Sequence, residues 1–204
     1  MYARLTMVDG DPQRVDDLVA FVESDVRPAV EAQPGSRGVA LFVNRESGAG
    51  GVCSFFGSAE DRDASASAVK GLRDKAVELI EGTATVENFE IPVFHRLVLP
   101  GPGAWLRFVR THNDDLSTVD AAIEQFKTIT LPALTAVPGL CSVLLFIDRE
   151  TGTAATSTCW ADAAALEASL DSALNIRSEA LARSGLSLTS VETYELIFTT
   201  AQPG

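Results

Sequence analysis

The sequence predicts an α+β protein made of two copies of one β-α-β-β-α-β module. Three observations carry this. "PGSRGVALFVNRESG" at 34–48 returns as "PGLCSVLLFIDRETG" at 138–152, 104 positions later. Pro28 returns at the same offset as Pro132, and "VENFE" at 86–90 returns as "VETYE" at 191–195 with one residue added. A near-constant offset held across a whole module marks a duplication. Within each copy the apolar period alternates between two and about 3.6 residues, in the order of the split βαβ, ferredoxin-like motif.

In the first copy, "YARLTMV" (2–8) is the opening strand. "DPQRVDDLVAFVESDVRPAVEAQPG" follows as a helix, with Val15, Leu18, Val19, Val22, Val26 and Val30 on one stripe. Asp11 and Pro12 suit its N-cap and first position. Pro28 is expected to kink or break it, and Pro34-Gly35 to stop it. "RGVALFVN" and "GGVCSFFG" form a hairpin around "RESG". The glycines at 48–51 therefore read as a turn, not as a nucleotide loop. The second helix, "SAEDRDASASAVKGLRDKAVELIEG", is capped by Ser58 with Asp61 three residues on. Ala68, Leu72, Ala76, Leu79 and Ile80 mark its buried face. "ATVENFEIPVF" closes the module despite Pro92.

The second copy repeats each step. "AWLRFVRT" is the strand, and "LSTVDAAIEQFKTITLPALTAVPG" the helix with Val119, Ile123, Phe126 and Leu134 inward. "CSVLLFID" and "TAATSTCW" make the hairpin, "ADAAALEASLDSALNIRSEALARSG" the second helix, and "LTSVETYELIFT" the closing strand. The Pro/Gly-rich "LVLPGPG" reads as a linker, giving modules 1–96 and 104–204 joined by 97–103. A four-stranded sheet with helices on one face leaves the other face bare. A second copy can cover it, as in a homodimer fused into one chain.

The chain has 204 residues, 46% apolar, enough for a substantial core. Its net charge of −12 is evenly shared: 16 Asp/Glu against 10 Lys/Arg in 1–103, then 12 against 6. Such a field repels phosphate backbones and anionic lipid, so neither nucleic acid nor membrane is an expected partner. No window approaches the roughly 18 apolar residues of a span, and the N-terminal stretch lacks a signal-peptide run. Cys53, Cys141 and Cys159 are an odd set in apolar surroundings. They read as reduced, buried thiols of a cytoplasmic protein. Two histidines and three scattered cysteines form no metal-ligand spacing. Neither a nucleotide loop nor a G-x-S-x-G elbow occurs. No metal or cofactor is expected.

With "PGLCSVLLFIDRETGTAATSTCWADAAAL", its counterpart "PGSRGVALFVNRESGAGGVCSFFGSAED" and the closing "VETYE", the chain resembles the antibiotic-biosynthesis-monooxygenase family of dimeric α/β-barrel proteins. The likeness spans nearly the whole chain as two modules. It implies an intramolecular version of that barrel, existing as a monomer with an internal pseudo-dimer or as a homodimer. Relatives include cofactor-free oxygenases of quinol or anthrone substrates and haem-degrading enzymes. The haem-degrading ones use an Asn on the first strand, a Trp ending the third and a His near the second helix. Trp160 matches, but "YARLTMV" and "WLRFVRT" hold no Asn, and neither second helix holds a His. The resemblance thus implies a cofactor-independent monooxygenase of a hydrophobic aromatic or quinol-like molecule. The alternative is a non-catalytic small-molecule binder or structural protein.

Six residues carry the site expectation. Trp160 and its counterpart Phe56 can wall a pocket or simply pack. His112, in "RTHNDD", can act as a base oriented by Asp114 or Asp115, or sit in an exposed helix cap. Arg4 and Arg107 lie inside apolar strands and need partners. Each can hold a substrate oxygen or pair with a glutamate such as Glu87 or Glu192. Trp105 flanks Arg107. His112 and Trp160 are thus the catalytic candidates, and Arg107, Trp105, Phe56 and Arg4 the substrate-binding ones. His95, at a strand exit, is a weaker candidate. Arg45-Glu46 and Arg149-Glu150 read as ion pairs at the hairpin tips. The second copy, with Trp160 and His112, is expected to hold the better-developed cavity.

Overall fold

The computed structural model describes residues 1–203. Its eight strands are hydrogen-bonded in the order β1-β3-β2-β8-β5-β7-β6-β4, closed as a barrel. Backbone contacts divide the chain into two units. One comprises Met1–Phe89 with the stretch from Tyr194 onward, and the other Glu90–Thr193.

In the first unit, β3 (Gly50–Phe56) is the middle strand. It pairs antiparallel with β1 (Tyr2–Asp9), where Arg4 faces Ser54, and with β2 (Ser36–Val43), where Leu41 faces Val52. The last residues of β8 (Ser187–Thr199) add to β2, with Phe42 opposite Leu196. The second unit repeats this with β5 (Trp105–His112), β6 (Leu140–Ile147) and β7 (Thr153–Trp160). Arg107 faces Thr158 and Leu145 faces Thr156. Here the last residues of β4 (Thr83–Arg96) pair with β6. Pro92 sits where the β4–β6 register shifts, between Glu90 and Val93. A bulge there accommodates the missing N–H.

The first helix of each copy is α1 (Val15–Phe21) running into α2 (Arg27–Glu31), and α5 (Val119–Gln125) into α6 (Leu131–Thr135). Asp11 accepts from the Gln13 N–H and Pro12 takes the first position, as the sequence suggests. The disturbance expected at Pro28 lies one turn earlier. Val22–Val26 and Phe126–Thr130 are π-helical, and Arg27 and Leu131 donate to the carbonyls five residues back, on Val22 and Phe126. A proline cannot donate to the preceding turn and its ring crowds it. Widening that turn by one residue relieves both.

The second helix departs further from expectation. It is not one helix but two in each copy. α3 (Ala59–Ala64) and α4 (Ala66–Leu79) part at Ser65; α7 (Ala163–Ala168) and α8 (Leu170–Ser184) part at Ser169. Ser58 caps α3 by accepting from the Asp61 N–H, as read, and Asp162 does the same for α7 from Ala165. Ala68 is exposed; Val69 takes its place beside Leu72, Ala76, Leu79 and Ile80. The repeated Pro-Gly has a steric cause in the second copy. Gly139 has φ +84°, and a Cβ there would lie 2.7 Å from that of Ala165.

The hairpin arginines do not pair with their neighbours in sequence. Arg45 reaches Asp16 and Glu195, and Arg149 reaches Asp120 (2.9 Å) and Glu90 (2.6 Å). They tie each hairpin tip to the start of a helix and to a closing strand. All three cysteines are free and buried. Burial pushes the Cys53 and Cys141 thiols up and that of Cys159 up to about 12. Among the described residues no helix is long and apolar enough to cross a membrane.

Candidate functional site

Strand alternation sends every second residue of β5 to the helical side of its sheet. Those residues include Arg107, Val109 and Thr111. With Thr156 and Thr158 of β7 and Leu145 of β6 they floor a cavity of about 110 Å³. Ile123, Phe126 and Thr130 roof it from the first helix, and Ala173, Ile176 and Arg177 from α8. Thr130 belongs to the π-helical turn, so the widened turn sits directly on the cavity. The walls are largely apolar, edged with hydroxyls and two guanidiniums.

Arg107 is buried, and its position in an apolar strand follows from what it holds. Nη1 donates to Ser169 Oγ (2.9 Å) and Nη2 to the Leu166 carbonyl (2.9 Å). These are the groups at the break between α7 and α8, where a helix end leaves carbonyls without internal donors. Its hydrogen-bond partners are thus neutral, not the glutamate suggested by the sequence. Burial lowers the Arg107 pKa first, Arg177's charge lowers it further, and Glu167 opposes both. A guanidinium so placed still carries its charge at neutral pH. Trp160 stands behind it, its ring 5.6 Å from the guanidinium carbon. The indole Nε1 donates to Thr158 Oγ1 (3.0 Å), which donates to the Arg107 carbonyl (3.3 Å). Arg177 makes no hydrogen bond or ion pair with any described residue.

The first unit holds the same arrangement in reduced form. Arg4 donates to Ser65 Oγ (2.7 Å) and to the Arg62 carbonyl, at the break between α3 and α4. Arg73 lines the same space, which measures about 50 Å³. Leu18 stands where the second copy has Ala122, and Val69 where it has Ala173. In the other direction, Phe126 and Leu134 stand where the first copy has Val22 and Val30, so the larger space has a reshaped wall.

The sequence candidates fall into three places. Arg107 and Arg4 line the larger and smaller cavities. Trp160 and Trp105 are opposite one another in the β5–β7 ladder, outside the cavity's lining, and pack with Leu140, Leu166 and the lining residue Leu134. Phe56 holds Trp160's position in the first unit, fully buried. His112 is one residue past Thr111, so alternation turns it to the other face. Its side chain is 43% exposed, with Nε2 3.3 Å from Asp114 Oδ1. The structure brings Arg107, Trp160 and Trp105 together and leaves His112 apart. Arg73, Arg177, Ser65 and Ser169 escaped the sequence reading. Their signal was present, since both pairs recur at the 104-residue offset inside the second helices. Among the described residues no group of three or more His, Cys, Asp or Glu side chains could hold a metal.

No family model matches the chain. The uncharacterized protein Rv2557 of Mycobacterium tuberculosis (strain ATCC 25618 / H37Rv) is 33% identical over 187 residues, covering 91% of this chain and 82% of that protein. The uncharacterized protein Rv2558 of the same strain is 31% identical over 199 residues, covering 96% and 83%. The chain belongs to their family. Among solved structures, an anthrone oxidase-like protein superposes with a TM-score of 0.70 at 17% identity, covering 97% of this chain and 92% of that one. A ferredoxin-fold protein of Listeria monocytogenes 4b F2365, related to antibiotic biosynthesis monooxygenases, gives 0.55 at 12% identity, covering 95% and 94%. The Rv2557 family thus has the monooxygenase-like barrel fold that the repeated hairpins and closing strands suggested.

Proposed function

We propose that the protein binds a small aromatic molecule, about one ring in size, in the cavity of the second unit. The observation that supports this is the pair of matched cavities, of which the larger has alanines where the smaller has Leu18 and Val69. An apolar cavity of about 150 Å³ is known to stay dry and take up benzene. A space of 110 Å³ with some freedom at its walls suits a ring of that class rather than a fused three-ring system. Leu145, Ile123 and Phe126 offer apolar contact, and the threonines and arginines give the ligand an orientation. The test is titration of toluene and indole into the protein, followed by NMR. Refilling the cavity with the first unit's own side chains, Ala122→Leu with Ala173→Val, is expected to weaken binding at least ten-fold. Unchanged affinity in the refilled variant would reject the site.

A second reading is oxygenation without a cofactor, favoured by the fold shared with the anthrone oxidase-like protein. The substrate must then supply every electron. A one-ring quinol and O2 would give a hydroxyquinone and water, one oxygen atom entering the ring and the other leaving as water. Two guanidiniums beside the ring would stabilise the oxyanion that reacts with O2. The measurement is protein-dependent oxygen uptake with hydroquinone, with isotopic oxygen followed into the quinone. No uptake above buffer would leave the protein as a binder only.

A further inference from the structure

We infer that the occupant of the second unit's cavity is an aromatic acid, its carboxylate held between Arg177 and the unused N–H groups of Arg107. This rests on the reading of that cavity as the working pocket and adds the chemistry of the ligand's polar end.

Three observations lead there. The first is duplication. Since the two copies arose, the cavity walls have diverged: Leu18 answers to Ala122, Val26 to Thr130, Val69 to Ala173. The arginines have not; Arg4 and Arg73 answer to Arg107 and Arg177. Helix capping explains one arginine of each pair. It does not explain the other, because Arg177 bonds to no described residue.

The second is electrostatic. Two cations line one largely apolar cavity, Arg107 from its floor and Arg177 from its roof, and each raises the cost of the other. The nearby acid felt at Arg107 is Glu167 on α7, whose effect is smaller than that of Arg177. The remaining polar groups of the cavity are hydroxyls, such as Thr130 and Thr158. In a chain of net charge −12, a pair of cations without a facing carboxylate in the lining is a local reversal of sign. An entering anion would relieve it.

The third is geometric. Arg107 spends one N–H on Ser169 and one on Leu166. A guanidinium has five, so donors remain for a ligand while the strap stays intact. The strap and the Trp160 ring fix the orientation of Arg107, which lowers the entropy lost on binding. A carboxylate accepts from two guanidiniums through both oxygens. A ring attached to it would then lie along Leu145, Ile123 and Phe126.

Calorimetry on the whole chain at low salt tests this with benzoate, toluene and inorganic phosphate. Benzoate is expected to bind at least ten-fold tighter than toluene, with one site per chain, and to weaken several-fold as salt rises. Arg177→Gln should bring benzoate down to the level of toluene. Equal affinity for benzoate and toluene, or a preference that survives Arg177→Gln, overturns the inference while the cavity reading stands. Phosphate binding as tightly as benzoate overturns the aromatic part. If neither ring binds, the cavity reading falls and this inference with it.

Discussion

The two units carry the same framework around cavities of about 50 and 110 Å³. Each has a strand arginine gripping a broken helix, a second arginine on the following helix, and a π-helical turn across the space. They differ in most of the side chains that wall the space. The framework residues and the wall residues therefore do separate jobs. One set holds the helix against the sheet, and the other decides how much room is left.

The sharpest way to break that comparison is to convert one unit into the other. Leu18→Ala with Val69→Ala should open the first cavity and cost stability, since a buried Leu→Ala alone typically costs about 2–5 kcal/mol. The stoichiometry of benzoate should rise from one to two. A folded double variant that still binds one would show that arginines and room do not suffice. The reverse conversion, Ala122→Leu with Ala173→Val, should leave thermal stability unchanged or raised.

Next in size are the straps. Arg107→Ala and Arg4→Ala each remove two charged hydrogen bonds from the helix break and leave the serine hydroxyl and the carbonyl bonded only to each other. Each should cost about 2 kcal/mol or more in urea unfolding. If Arg4→Ala proved neutral, the framework would not be common to both units. Smaller again, Trp160→Phe puts the first unit's residue into the second. It removes the Nε1 bond to Thr158 and weakens the ring contact with Arg107. A loss of about 1 kcal/mol is expected, with weaker ligand binding through the loosened arginine. The smallest change is Glu81→Gly. Glu81 is a non-glycine residue at φ +50° where the second copy has Gly185 at +71°. Relief of backbone strain, about 1 kcal/mol, exceeds the exposed pair with Arg14 that is lost. A raised unfolding midpoint checks it.

The thiols give a prediction common to both units. Cys53 and Cys159 titrate far more readily unfolded than folded, because burial disfavours the thiolate. Above the ordinary thiol value of about 9 the unfolded chain loses protons that the folded chain keeps. Stability should fall with rising pH from about 9 towards 12, by up to about 1.4 kcal/mol per pH unit for each thiol. Cys→Ala at either position should flatten that slope in urea melts.

The fold was legible because repetition and periodicity are properties of the sequence itself. The hairpins, both Pro-disturbed helices and the Ser58 cap could be read from residue type and spacing. The helix breaks at Ser65 and Ser169 could not. Serine inside a helix is unremarkable, and the arginine that binds at each break comes from about 60 positions away. The site was half legible for the same reason. A lone arginine in an apolar strand announces that it has a partner but not which. Arg177 looked like any charged helix residue until its neighbour was known. His112 drew notice by its chemistry, and strand alternation placed it on the wrong side of β5 for the cavity.

The grip of Arg107 falls on a backbone carbonyl and one hydroxyl, not on the side chains that line the space. A carbonyl is present whatever residue occupies position 166, so mutation there leaves the anchor in place. Selection could therefore reshape the lining of one copy, or let it silt up, without loosening the joint that keeps its helices docked. That independence is what lets a duplicated gene try new ligands in one half while the other half goes on folding.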